Sequence, residues 1–259
     1  MDLTLENVTC GYGSRAILSD FCATIQAGQV FCLLGPNGIG KTTLFKSILG
    51  LLPFLAGRAL CGGRDLSSIG RAARARIMGY VPQSQFTPFA FSVLDVVLMG
   101  RTAHMGFLGR PGRADFAASE AALARLGIEN LRDRHFTELS GGEKQLALVA
   151  RALCQEPTFL MMDEPTSNLD FGNQVKVLKI IRDLANQGLG VVMTTHFPDH
   201  VFQCGDQAAL LTHANSQRVG PLAEVLTSEN LTEAYGVPVS VLKWPDSRLD
   251  FTICRPNFA

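Results

Sequence analysis

The stretch of this chain best equipped for chemistry is Gly35-Pro36-Asn37-Gly38-Ile39-Gly40-Lys41-Thr42, followed by Thr43. Glycines at this spacing let backbone N–H groups turn inward around phosphate oxygens, and the helix that should follow adds about half a positive charge at its N-terminus. Lys41 is long enough to reach the outer phosphates, and the Thr42 hydroxyl can ligate Mg²⁺. A glycine-rich loop of this kind needs a strand before it and a helix after it. The apolar run 30–34 reads as a strand buried on both faces. Leu44, Phe45, Ile48 and Leu49 then share one helical face, which Gly50 and Pro53 end.

A phosphate loop calls for a second carboxylate. Asp163 and Glu164 stand at the end of another apolar run, 159–162, at the carboxyl end of a strand where open α/β sheets bind ligands. Neighbouring strand residues point to opposite faces, so one carboxylate is expected in a magnesium shell and the other toward an attacking water. An isolated Asp-Glu at a strand end is commonly a solvated turn; the preceding phosphate loop gives this pair its meaning. His196 ends the run 191–195 and Gln83 follows the run 77–81, which brings both within range of the same crevice. Read by itself, a histidine in such a place is more often structural or on the surface, and the same holds for Gln83. Tyr12, between Gly11 and Gly13, is either a turn residue or an aromatic plate for a base.

A second glycine pair sits in Leu139-Ser140-Gly141-Gly142-Glu143-Lys144-Gln145. Ser140 and Glu143 form a capping box for a helix whose Leu146, Val149, Ala150 and Leu153 make an apolar stripe. Two glycines in a first turn cost up to about 1 kcal/mol each relative to Ala. They are better explained if something approaches the backbone closely, and a helix N-terminus suits an anion. The lead-in 133–138 is polar and unlike a buried strand, so this helix belongs to a helical insert, and the phosphate it suits need not be the one held by its own chain.

These groups need an α/β frame. Residues 1–28 alternate as strands, 54–82 carry further strands and a short helix, and 92–155 is helical, interrupted by the Gly/Pro-rich 106–112. After 155 strand and helix alternate (159–162, 171–187, 191–195, 201–203, 208–212), which implies a mostly parallel sheet. We expect an α/β core over 1–85 and 156–240 with an N-terminal antiparallel β subdomain, a helical subdomain over 86–155, and a tail at 241–259. At 259 residues, 47% hydrophobic and 18% charged, the chain can bury a sizeable core. Lys+Arg and Asp+Glu both number 23, which argues against nucleic acid as a partner. The arginine run 71–76 reads as a solvated helix face. Seven scattered cysteines without a CxxC pair support neither a zinc site nor a disulfide framework and fit a reducing compartment. The acidic, alternating first eight residues are unlike a signal peptide, and no apolar run approaches the roughly 18 residues of a membrane span.

The ordered set GPNGIGKTT, Gln83, LSGGE, FLMMDEP, SNLD (167–170) and His196 resembles the ATP-binding subunits of ABC transporters over nearly the whole chain. The resemblance implies a P-loop NTPase core and a head-to-tail homodimer that sandwiches two ATP molecules. It further implies that Tyr12 stacks on adenine and that Gly35, Pro36, Asn37, Gly38, Gly40, Lys41, Thr42 and Thr43 hold phosphates. Mg²⁺ would fall to Thr42, Gln83 and Asp163. Glu164 would be the general base, with His196 on the γ-phosphate and Gln83 relaying to the membrane partner. Ser140, Gly141 and Gly142 would contact the ATP of the opposite subunit, and Asp170 would link the halves. Glu143 stands where the family more often has Gln, and would be repulsive near a phosphate unless turned back toward Ser140.

Segments 89–101 and 226–236 look similar to bacterial importers of metal chelates: ferric siderophores, haem, vitamin B12, and a molybdate or tungstate branch. That likeness implies permease subunits docking at 83–101, a periplasmic or lipoprotein substrate-binding protein acting indirectly, and a peripheral location on the cytoplasmic face of the cell membrane. The alternative is a soluble ABC ATPase, such as one for iron–sulfur cluster assembly. A small-molecule kinase would share the phosphate loop but has no use for LSGGE.

Overall fold

Alternating apolar residues make the opening of the chain a pair of long strands, β1 (Asp2–Tyr12) and β2 (Arg15–Gln26). Leu3, Leu5, Val8 and Cys10 of β1 and Leu18, Phe21, Ala23 and Ile25 of β2 are buried, so each strand turns one face inward. This is a computed structural model that describes residues 1–83, 90–106, 109–212, 216–243 and 251–257. Its contacts divide the chain into two compact units, 1–68 with 181–259, and 69–180. The first unit continues with β3 (Val30–Leu34), buried at every residue, α1 (Lys41–Ile48), β4 (Phe54–Cys61) and β5 (Arg64–Asp65). An antiparallel sheet in the order β2-β1-β4-β5 forms the expected N-terminal β layer.

The second unit opens with α2 (Arg71–Ile77), which carries the arginine run and buries none of its residues. It is the solvated face expected of it. β6 (Met78–Val81) follows, then α3 (Val93–Leu98), capped reciprocally by Ser92 and Asp95, and a 3₁₀ turn over Met99–Ala103. α4 (Arg113–Arg125) and α5 (Gly141–Leu153) complete the helical insert. β7 (Phe159–Met162), wholly buried, pairs in parallel with β6, Met78 opposite Phe159 and Val81 opposite Met162. α6 (Phe171–Asn186) crosses the boundary between the units along the chain.

Back in the first unit, β8 (Gly190–Thr195) is buried throughout and pairs in parallel with β3. α7 (Pro198–Cys204) covers the short segment expected at 201–203 and begins on proline, whose missing N–H costs nothing in a first turn. β9 (Gln207–Leu211) lies on the other side of β3, also parallel, and β10 (Gln217–Pro221) pairs antiparallel with β9. Asp206 fixes the start of this layer: its carboxylate accepts from the N–H of Val30 at 2.8 Å and from Arg182 at 2.8 Å. After α8 (Leu222–Val225) and α9 (Ser228–Tyr235) come β11 (Val239–Lys243) and β12 (Thr252–Pro256). These two strands pair with each other, so the segment expected to be a tail supplies one arm of an antiparallel hairpin. Among the described residues no helix is long and apolar enough to cross a membrane.

The helical insert is held by one buried cation. Arg101, only 8% exposed, donates through Nε to Asp115 at 3.0 Å and through Nη1 to the carbonyl of Cys154 and the carboxylate of Glu156, both at 2.9 Å. It thereby joins the 3₁₀ turn to the start of α4 and the end of α5. Replacing it strands a buried acceptor and a carboxylate that is itself largely covered. We expect Arg101→Ala to lower the unfolding free energy by about 3 kcal/mol, the usual cost of breaking a buried ion pair by removing one partner, as read from urea titrations of the two proteins.

Candidate active site

The loop between β3 and α1 has the backbone that a phosphate cradle needs. Gly38 (φ 81°) and Gly40 (φ 114°) adopt left-handed conformations that side chains rarely tolerate. A Cβ on Gly40 would also lie 2.9 Å from Ile17, and one on Gly35 would lie 2.8 Å from the carbonyl oxygen of Leu211, at the end of β9. Lys41 is 5% exposed, and its Nζ donates to the carbonyls of Gly35 at 2.6 Å and Pro36 at 3.0 Å. The ammonium is therefore held inside the loop rather than in solvent. Asn37 and Gly38 form the exposed tip, while Thr42 and Thr43 stand in the first turn of α1, half-buried and buried. The N-cap of α1 is Gly40, which has no side chain to cap the helix, so the positive end of the helix dipole stands at the loop. An anion with several oxygens, and a hard cation on the Thr42 hydroxyl, fit these residues.

In the second unit the end of the β6–β7 pair gathers three of the expected residues. Asp163, 2% exposed, donates its N–H to the Val81 carbonyl at 2.9 Å and so extends the ladder one step beyond Met162. Glu164 follows with φ 46°, a left-handed conformation that costs on the order of 1–3 kcal/mol in a non-glycine residue and tends to occur at functional sites. Its carboxylate accepts from the Gln83 side-chain amide at 3.3 Å. β7 itself ends at Met162, and Asp163 and Glu164 lead out of it into the following turn. Nearby, burial first and the charge of Asp163 second push the Tyr80 phenol up to about 12.

The same unit holds the second glycine pair. Ser140 Oγ accepts from the Glu143 N–H at 3.3 Å, and the Glu143 carboxylate accepts from the Ser140 N–H at 2.8 Å. The capping box is thus formed as expected, and Glu143 is turned back onto the helix start. Arg134 adds an ion pair at 3.2 Å. The Ser140 N–H, then its hydroxyl, then Arg134 hold the Glu143 carboxyl below its ordinary value. Gly141 is exposed, and a Cβ there would make only ordinary contact with Leu169 at 3.5 Å. Gly142 is different. A Cβ there would fall 2.6 Å from the Asn173 side chain.

Asn173 is a residue the sequence reading passed over. Its N–H and side-chain amide both donate to Asp170, at 2.9 and 2.6 Å, which caps α6 and holds the Asp170 carboxyl below its ordinary value. Asp170 and Gly142 are therefore linked through one side chain. The i, i+3 spacing of Asp170 and Asn173 is the sequence signal that could have found the cap. In the first unit Tyr12 ends β1 with half its surface exposed, and His196 follows β8 with its ring centroid 4.0 Å from that of Phe197. Of the docking segment 83–101, residues 84–89 lie outside the described residues. Further along that segment Phe91 and Met99 keep 37% and 41% of their surface exposed.

Comparison with known proteins agrees with this geometry. Residues 18–167 match the family model described as ABC transporter. The manganese transport system ATP-binding protein MntB of Bacillus subtilis is 37% identical over 92% of this chain and 94% of its own. The molybdate import ATP-binding protein MolC of Haemophilus influenzae is likewise 37% identical, over 92% of this chain and 89% of its own. Among solved structures, a chain of a transporter described as metal-chelate type, in an inward-facing conformation, superposes with a TM-score of 0.89. It is 34% identical and covers 99% of this chain and 97% of its own.

The contact between Gly142 and Asn173 gives a double-mutant test. Gly142→Ala should destabilise the protein by about 1–3 kcal/mol, the usual cost of overpacking. Combining it with Asn173→Ala should cost less than the sum of the two single changes, because the second substitution removes the obstacle. Urea unfolding of the four proteins measures the difference.

Proposed function

This chain belongs to the ABC transporter family, and from that premise we propose that two copies of it, arranged head to tail, power a membrane importer of metal chelates or metal oxyanions. Its reaction is ATP hydrolysis with Mg²⁺. Mg²⁺, when bound, neutralises charge on the phosphate oxygens, and such phosphoryl transfer is governed by positioning and electrostatics. In this reading Tyr12 stacks on the adenine, and the loop from Gly35 to Thr43 holds the phosphates with Lys41 supplying a fixed positive charge. Thr42, Gln83 and Asp163 serve the metal shell, and Glu164 takes the proton of the attacking water. His196 contacts the outer phosphate. Ser140, Gly141 and Gly142 present the start of α5 to the nucleotide of the opposite copy, with Asp170 between the halves.

The observation that carries the reading is the 3.3 Å hydrogen bond from Gln83 to Glu164. Gln83 begins the segment through which a permease would dock, and its amide lies on the carboxylate assigned as base. A displacement of that segment alters the base directly, which is a physical route for coupling. The half-exposed Phe91 and Met99 support an apolar partner along the same segment, on the cytoplasmic face of the membrane. The manganese and molybdate relatives, equal in identity, support cargo built around a metal without selecting one. A metal-chelate complex, such as iron-siderophore, haem or cobalamin, or molybdate or tungstate, fits that class. Cargo selection falls to the permease and a separate substrate-binding protein.

Glu164→Gln should lower ATP turnover about 10²–10⁴-fold, the usual worth of a general base, while leaving ATP binding intact. Retention of turnover in a phosphate-release assay would remove Glu164 from that role. Shared sites make a second prediction. A Ser140→Arg chain and a Lys41→Ala chain, each inactive alone, should regain turnover on mixing, with one competent site per mixed dimer. Activity from a demonstrably monomeric form overturns the shared site. Co-purification of the wild-type chain with a multi-span membrane protein separates the importer from a soluble ATPase.

A further inference from the structure

We propose that Tyr235 is a positioning residue for His196, acting through the backbone from which the imidazole projects. The proposal rests on the reading of His196 as the residue that contacts the outer phosphate. The Tyr235 phenol donates to the His196 carbonyl at 2.9 Å. The ladder of β8 ends at the pairing of Leu34 with Thr195, and the first turn of α7 begins at Pro198. The His196 carbonyl therefore stands between two regular hydrogen-bonding patterns and takes its bond from a side chain. Phe197, ahead of proline, is confined to the extended conformation it adopts here (φ −103°, ψ 110°). The peptide between His196 and Phe197 is gripped from both sides: its N–H donates to Thr195 Oγ1 at 3.1 Å, and its carbonyl accepts from the Tyr235 phenol. The phenol holds that peptide.

The elements behind Tyr235 are built to keep it in place. Tyr235 is the last residue of α9, which Gly236 closes in a left-handed C-cap at φ 67°. Thr227 Oγ1 caps the other end by accepting from the Asn230 N–H at 3.2 Å, and Asn230 in turn donates to the Val225 carbonyl at 2.9 Å. Thr232 Oγ1 accepts from the Val239 N–H at 3.0 Å, tying α9 to the C-terminal hairpin. A second, independent contact returns from that hairpin to the same junction: the Cys254 N–H donates to the Asp199 carboxylate at 2.7 Å. Residues 196 and 199 are thus both held by the segment after 226. That segment lies beyond the part of the chain that matches the family model. Without the phenol the peptide between His196 and Phe197 is held by Thr195 Oγ1 alone, so the Cα that carries the imidazole is less firmly placed, and misplacement of about 1 Å at a reacting centre costs on the order of 10²-fold in rate.

Tyr235→Phe deletes only the hydroxyl. In the full-length protein we expect ATPase kcat to fall about fivefold, the equivalent of one ordinary hydrogen bond, with KM for ATP nearly unchanged. In a His196→Ala background the same substitution should leave kcat almost where it is, because the residue it positions is gone. A purely structural role would instead lower the melting temperature and depress kcat equally in both backgrounds, and that result overturns the proposal. So does an unchanged kcat in the single Tyr235→Phe variant when His196→Ala cripples turnover. If His196→Ala is itself silent, the reading of His196 falls first and the proposal falls with it, so the two failures are told apart. ATP binding by each variant, measured by calorimetry, confirms that the proteins compared are folded.

Discussion

The first turn of an α-helix leaves N–H groups that no carbonyl of the same helix can serve, and this chain uses that deficit twice. At α1 no N-cap side chain serves it. The N-cap is a left-handed glycine with no side-chain bond, and the buried Lys41 ammonium stands among the loop carbonyls. At α5 it is half closed, because Ser140 and Glu143 satisfy each other while Gly141 between them stays exposed. The first solution suits an anion enclosed by one loop. The second suits an anion presented from outside, with the acidic side chain drawn back from it.

Much of the remaining structure keeps backbone rather than side chains where those two turns need it. Asp206 fixes the first N–H of β3, the strand that delivers the phosphate loop. Arg101 ties the helical insert together at the end of α5, opposite the glycine turn that begins the same helix. Glu164 takes a left-handed conformation two positions past the last residue of β7, and its carboxylate accepts from Gln83. All four residues of β7 are buried, and a packed frame of that kind is what lets strained backbone persist.

Side chains outside the signature residues carry the connections between them. Asn173 touches Asp170 on one side and closes against Gly142 on the other, so the small size of that glycine is a packing requirement of its own chain as well as a matter of ligand access. The C-terminal helix and hairpin reach back to the junction after β8 through Tyr235 and Cys254. Neither connection belongs to a short motif. Each depends on elements far apart in the chain being packed in one register.

What could be read from the sequence by itself was local. The phosphate loop and its strand and helix, the reciprocal cap of Ser140 and Glu143, the solvated arginine face of α2 and the antiparallel opening strands all follow from interactions within a few residues or from a repeating pattern. Glu143 was correctly expected to fold back because its partner lies three residues away. The rest waited on tertiary structure. The bond between Gln83 and Glu164 joins residues 81 positions apart and depends on the parallel register of β6 and β7. The left-handed backbone of Glu164, just past the end of β7, lay beyond any alternation argument, since a period of two describes only extended backbone. The expected tail became part of a hairpin because β12 finds its hydrogen-bonding partner in β11, a choice made by pairing and not by either segment's composition.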